Sequence, residues 1–77
     1  MFDKKVFSER LKSLRVAQNL SQVALGHVLD MRKSSISMME SANNAVSVEI
    51  LCALADYFDV SLDYLCGRTD DPGSHKN

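Results

Sequence analysis

The 77-residue chain has little of what marks catalytic, metal-binding or membrane proteins. Its two cysteines, Cys52 and Cys66, lie far apart and without the paired Cys/His spacing of a zinc site. They read as reduced thiols buried beside apolar neighbours. His27 and His75 are isolated, the first on a helix surface and the second in a polar C-terminal end, so neither a metal nor a cofactor is expected. There is no signal peptide and no apolar run long enough to span a bilayer, which points to a bacterial or phage-encoded cytoplasmic protein without a membrane partner. No Ser/His/Asp, Cys/His or paired-carboxylate arrangement falls on a plausible cleft, and a domain this small has little room for one. The chain is therefore not expected to be an enzyme, to hold catalytic residues or to take a small-molecule ligand. Internal repeats and low-complexity segments are also missing.

The net charge is only −1, but its distribution is uneven. Residues 1 to 33 carry Lys4, Lys5, Arg10, Lys12, Arg15, Arg32 and Lys33 against Asp3, Glu9 and Asp30, a balance of +4. Residues 34 to 77 carry Arg68 and Lys76 against Glu40, Glu49, Asp56, Asp59, Asp63, Asp70 and Asp71, a balance of −5. A polyanion meets the field of one surface rather than the total charge, so the asymmetry fits a basic face for DNA and an acidic far side.

What is present is helical patterning, organised around residues 21 to 41. Ser21 is placed to cap a helix in which Leu25, Val28 and Leu29 recur at helical spacing. The pattern breaks at Asp30-Met31-Arg32 and resumes with Ile36, Met39 and Glu40 on one face. Gly26 has no bulk where two helix backbones would approach. This is the spacing of a helix-turn-helix, in which the second helix locks onto the first and keeps one side free for the major groove. Before it, Phe7, Leu11 and Leu14, continued by Ala17, form the apolar stripe of a first helix from about Asp3 or Lys4 to Gln18, ended by Asn19. After a loop from Ser41 to Val46, Ser47 caps a fourth helix to about Phe58. It is apolar almost all round, so either it is the central core helix or one of its faces meets a second subunit. Ser61 caps a short fifth helix, Leu62 to Cys66, with Gly67 at its end.

Taken in order, the chain resembles the lambda-repressor/Cro-like, or XRE-type, helix-turn-helix family. The residues that carry the resemblance are Arg10-Leu11-Lys12-Ser13-Leu14-Arg15, Leu20-Ser21-Gln22, Ser34-Ser35-Ile36-Ser37 with Glu40, then Leu51, Leu54-Ala55 and Val60 to Arg68. The likeness covers roughly residues 7 to 68. It implies an all-α, five-helix domain over residues 1 to 68, with the helix-turn-helix at helices 2 and 3 and a flexible polar tail over 69 to 77. It implies an internal salt bridge between Arg15 and Glu40. The chain departs from the family at Asp30, where Gly is common in the turn, and at Arg32, where Ser or Thr usually caps the second helix of the motif. The segment Ser41 to Asn44 replaces a more basic one, and Val46 stands where Pro often opens the next helix.

These readings predict a sequence-specific double-stranded DNA-binding transcriptional regulator, a repressor in its simplest form, that uses residues 32 to 41 in the major groove. With Ile36, Met39 and Glu40 inward, Lys33, Ser34, Ser37 and Met38 face outward and read bases. Gln22, Arg32, Asn43 and Asn44 hold phosphates. The apolar surplus at Val48, Tyr57, Val60, Leu62 and Tyr64 predicts a homodimer on a palindromic operator, and the resemblance points the same way. The competing expectation is a protein-interaction module on the same scaffold with little DNA binding, favoured by the non-basic loop after Glu40.

Overall fold

The computed structural model describes residues 2–42 and 46–73. Five helices follow one another with no strand among the described residues: α1 (Lys4–Ala17), α2 (Gln22–Leu29), α3 (Lys33–Glu40), α4 (Val48–Phe58) and α5 (Leu62–Leu65). Four of them begin at a side chain that accepts a first-turn N–H. Asp3 accepts from Lys5 and Val6, Ser21 from Ala24, Ser47 from Ile50 and Ser61 from Tyr64. Such a cap stabilises a helix by about 0.5–2 kcal/mol because it satisfies donors that have no partner within the helix. At α3 the N-cap residue is Arg32, and no side chain caps that first turn.

Four helices also stop in the same way. Asn19, Asp30, Asp59 and Gly67 take left-handed backbone angles, with φ between 55° and 82°. In each case the next residue donates its N–H back to a carbonyl five positions earlier: Leu20 to Arg15, Met31 to Gly26, Val60 to Ala55 and Arg68 to Asp63. The reversal sends Leu20, Met31 and Val60 toward the core as each helix ends. The Asp30 turn thus forms without the Gly more usual there, since Asp tolerates this region better than most side chains.

Packing follows from the apolar stripes. Phe7 and Leu11 of α1, Leu25 of α2, Ile36 and Met39 of α3, Leu54 of α4 and Leu65 after it meet in one buried cluster. Here α3 packs against α2 and α1, α2 against α4, and α5 against α4 and α1. The two ends of the fold are tied by a hydrogen bond from Asp3 N–H to the Cys66 carbonyl at 2.9 Å. Arg10 adds a second tie. Its Nη1 donates to the Tyr64 carbonyl at 2.5 Å and the Thr69 carbonyl at 2.6 Å, its Nη2 to Asp70 at 2.8 Å, and its guanidinium lies 4.1 Å over the Tyr64 ring. The start of the expected tail, residues 69 to 73, is also held by Ser61 N–H donating to the Pro72 carbonyl.

Several expectations change at this level. Helix α4 buries one face, Leu51, Leu54, Ala55 and Phe58, rather than most of its circumference. Ala17 and Val28, read as continuing apolar stripes, are exposed, although Leu29 beside Val28 packs against the core. Cys52 and Cys66 are free but only half-buried, and burial together with nearby Asp63 pushes the Cys66 thiol up. Val60 was expected at a dimer interface, yet it is 8% exposed and belongs to the chain's own core, drawn there by the reversal at Asp59.

Gly26 is the tightest point. A Cβ built on it would lie 2.5 Å from the Met31 carbonyl oxygen, which is backbone and cannot rotate away. Gly26→Ala should therefore destabilise the fold by about 1–3 kcal/mol, the range for forced overpacking, as read from urea melts. A change below a few tenths would mean that the turn adapts freely.

Candidate nucleic-acid interface

Helix α3 is eight residues long and sorts its side chains cleanly. Ile36 and Met39 are buried against α1 and α2, while Lys33, Ser34, Ser37 and Met38 are exposed on the other side. Met38 leaves 45% of its surface open, so it is not a core filler. The four side chains predicted to read bases therefore share one open strip. Its chemistry is a cation, two hydroxyls and a thioether, which is donor and acceptor capacity together with one soft apolar contact. Arg32 is exposed at the helix start beside Lys33. Asn43 and Asn44, the other predicted phosphate contacts, lie outside the described residues.

The helix is fixed at both ends. At its start, the Asp30 reversal and the bond from Met31 N–H to the Gly26 carbonyl, 2.7 Å long, fold the turn onto α2. At its end, Arg15 of α1 grips Glu40 with two bonds, Nε to Oε2 at 2.6 Å and Nη2 to Oε1 at 3.0 Å. Arg15 Nη1 also donates to the Leu20 carbonyl at 2.7 Å. The side chains of Arg15 and Glu40 are 12% and 4% exposed, so water screens the pair poorly. The bond to Glu40 raises the Arg15 pKa above its ordinary value, against the opposing effect of burial, and the guanidinium stays charged.

Gln22 stands at the first turn of α2, half-buried rather than open, and its Nε2 donates to Glu40 Oε1 at 3.2 Å. Sequence reading missed this bond because its partner is 18 residues away and not on the same helix face. The Arg10 contacts were missed for the same reason, with acceptors 54 to 60 residues distant. Of the seven basic residues in the first 33, Arg10 and Arg15 are thus turned to internal acceptors, and the exposed ones are Lys4, Lys5, Lys12, Arg32 and Lys33.

The residues predicted for a dimer interface do not form one set. Val48, Tyr57 and Leu62 are 71%, 40% and 37% exposed. Val48 and Tyr57, at opposite ends of α4, lie about half a turn apart around the helix axis. Tyr64 is half-buried and has Arg10 over its ring. Among the described residues no cluster of His, Cys, Asp or Glu could hold a metal ion, and no helix is long and apolar enough to cross a membrane.

Two short helices locked at a tight turn, with the second presenting an open polar strip, define a helix-turn-helix domain. The helix-turn-helix family model HTH_3 matches residues 11–65, and the chain belongs to this XRE-type family of transcriptional regulators. It is 36% identical over 67 residues to the uncharacterised HTH-type transcriptional regulator YobD of Bacillus subtilis (strain 168), covering 87% of this chain and 60% of that protein. It is 34% identical over 61 residues to the HTH-type transcriptional regulator PrpR of Mycobacterium tuberculosis, covering 79% of this chain but 13% of that protein. The chain thus spans only part of the length of these curated relatives. Among solved structures it is similar to the restriction-modification controller protein C.AhdI from Aeromonas hydrophila, with a TM-score of 0.73, 30% identity, and coverage of 82% of this chain and 96% of that one.

Arg15→Ala and Glu40→Ala should each cost about 3–5 kcal/mol of folding stability, because each strands a buried charge. The double variant should lose clearly less than the two losses added, since it leaves no orphan. Additive losses in denaturant melts would show that the two residues are not coupled.

Proposed function

We propose that this chain binds double-stranded DNA in a sequence-specific manner and regulates transcription, with repression as its simplest mode, because a protein seated on a promoter blocks access without any further surface. The observation that carries the reading is the exposed strip of α3, Lys33, Ser34, Ser37 and Met38, on a helix held rigidly at both ends. Lys33 and Ser34 lie in the first turn, the end that enters the major groove in this motif. Lys33 donates to guanine O6 and N7, Ser34 and Ser37 bond base edges, and Met38 lies against a thymine methyl. Gln22 and Arg32 contact phosphates, as do Asn43 and Asn44, which follow α3 in sequence, and these contacts set register without reading sequence. The protein acts in the cytoplasm, where its DNA is.

A homodimer on a palindromic operator completes the reading. Tyr57 and Leu62 are the exposed apolar residues that support pairing, with Tyr64 at the margin. A two-fold pair places two α3 helices about 34 Å apart, one DNA turn, and doubles a small single-helix footprint. Light scattering from micromolar to submillimolar protein, free and with duplex, should report two protomers per site. A strict one-to-one complex on a palindromic site rejects the dimer.

Gel shifts on random duplex should show binding at low salt that fades as salt rises, the mark of phosphate contacts. No binding at any salt would favour the protein-interaction module. On the selected operator, Lys33→Ala should cost about 1–3 kcal/mol and relax the preference at one base pair. If selection from random duplexes returned the same site for the wild type and for the Lys33, Ser34, Met38 triple alanine variant, the reading face would be misassigned.

A further inference from the structure

The Arg15–Glu40 pair is not closed on itself. Glu40 Oε1 accepts from Gln22 Nε2 as well as from Arg15, so one carboxylate at the last turn of α3 holds the first residue of α2. Chemistry decides which end of the Gln22 amide faces it. An ionised carboxylate only accepts hydrogen bonds, so the NH2 end must point inward. One N–H is then committed to Glu40, while the second N–H and the amide oxygen stay available to a partner outside the chain. Glu40 itself is 4% exposed and immobilised by two bonds from Arg15, so it is a firm anchor.

We propose that Glu40 is a positioning residue for DNA binding: it fixes the Gln22 amide with an N–H toward a backbone phosphate, while Arg15 neutralises the carboxylate that would otherwise repel that phosphate. The proposal rests on the DNA-binding reading above. A glutamine free in solvent samples many rotamers, and ordering it on a phosphate costs affinity; one already tied to a buried carboxylate has lost that freedom on folding. The same carboxylate closes the end of α3. The helix that reads bases and the side chain that grips the backbone are thus referred to one point, and a shift of either is felt by the other.

Two measurements test this. The first needs no variant: 15N relaxation of the glutamine side-chain amides in the free wild-type protein. The chain has two glutamines, and Gln18 is exposed and serves as the mobile reference. Gln22 NH2 should be clearly more rigid than Gln18 NH2; equal mobility overturns the tether. The second is a binding cycle on random duplex at low salt, with melts run alongside to keep every variant in its folded range. Gln22→Ala and Glu40→Gln should each weaken binding roughly 2- to 12-fold, the worth of one hydrogen bond. The double variant should bind no more weakly than Gln22→Ala alone, because Glu40 acts through Gln22. If Glu40→Gln weakens binding by the same factor in the wild-type and Gln22→Ala backgrounds, Glu40 merely holds the helix and the positioning role is wrong. No binding by the wild type at any salt removes the DNA-binding reading and the positioning role together.

Discussion

The close approach of the backbone at Gly26 and Met31 is the constraint on which the arrangement depends. Met31 N–H reaches the Gly26 carbonyl at 2.7 Å, and the Met31 carbonyl lies where a Cβ on Gly26 would sit. This approach sets how tightly the turn folds, and the turn sets the angle at which α3 leaves α2. Everything the open strip of α3 can do follows from that angle, since a helix presents a fixed set of side chains once its inner face is committed. Asp30 makes the reversal without glycine, at some conformational cost that the packing of Leu25, Ile36 and Met39 offsets.

The second point of control is electrostatic. Arg15 and Glu40 are largely withdrawn from water, and such a pair adds little net stability compared with apolar residues of the same shape. Its contribution is geometric. It links three elements that could otherwise slide: α1 through Arg15, the end of α3 through Glu40, and the start of α2 through Gln22 and the Leu20 carbonyl. A hydrophobic contact is tolerant of small shifts, whereas hydrogen bonds of 2.6 to 3.2 Å are not.

Charge distribution read along a chain differs from charge presented by a fold. Arg10 lies within the basic N-terminal half but spends its donors on the Tyr64 and Thr69 carbonyls and on Asp70. The pair with Asp70 is open to water and adds little, while the half-buried bonds to carbonyls do more. The exposed cations of this half are Lys4, Lys5 and Lys12 on α1 and Arg32 and Lys33 at the start of α3, so the positive charge the fold presents is smaller than the count along the chain.

The sequence by itself determined the elements and their ends. Asp3, Ser21, Ser47 and Ser61 cap where their side chains predict, and Asn19, Asp30, Asp59 and Gly67 reverse the chain, because capping and left-handed turns are decided by chemistry within a few residues. The sides of α3 were equally legible, since helical periodicity alone separates Ile36 and Met39 from Lys33, Ser34, Ser37 and Met38. Arg15 and Glu40 were legible through the family resemblance, not through spacing. The tertiary structure decided what depends on residues distant in the chain: that Gln22 bonds Glu40, that Arg10 is internal, that Val60 is core and that α4 buries a single face. Periodicity names an apolar side chain but not the element that covers it, and a charged side chain does not announce its partner until packing has brought the two within hydrogen-bond reach.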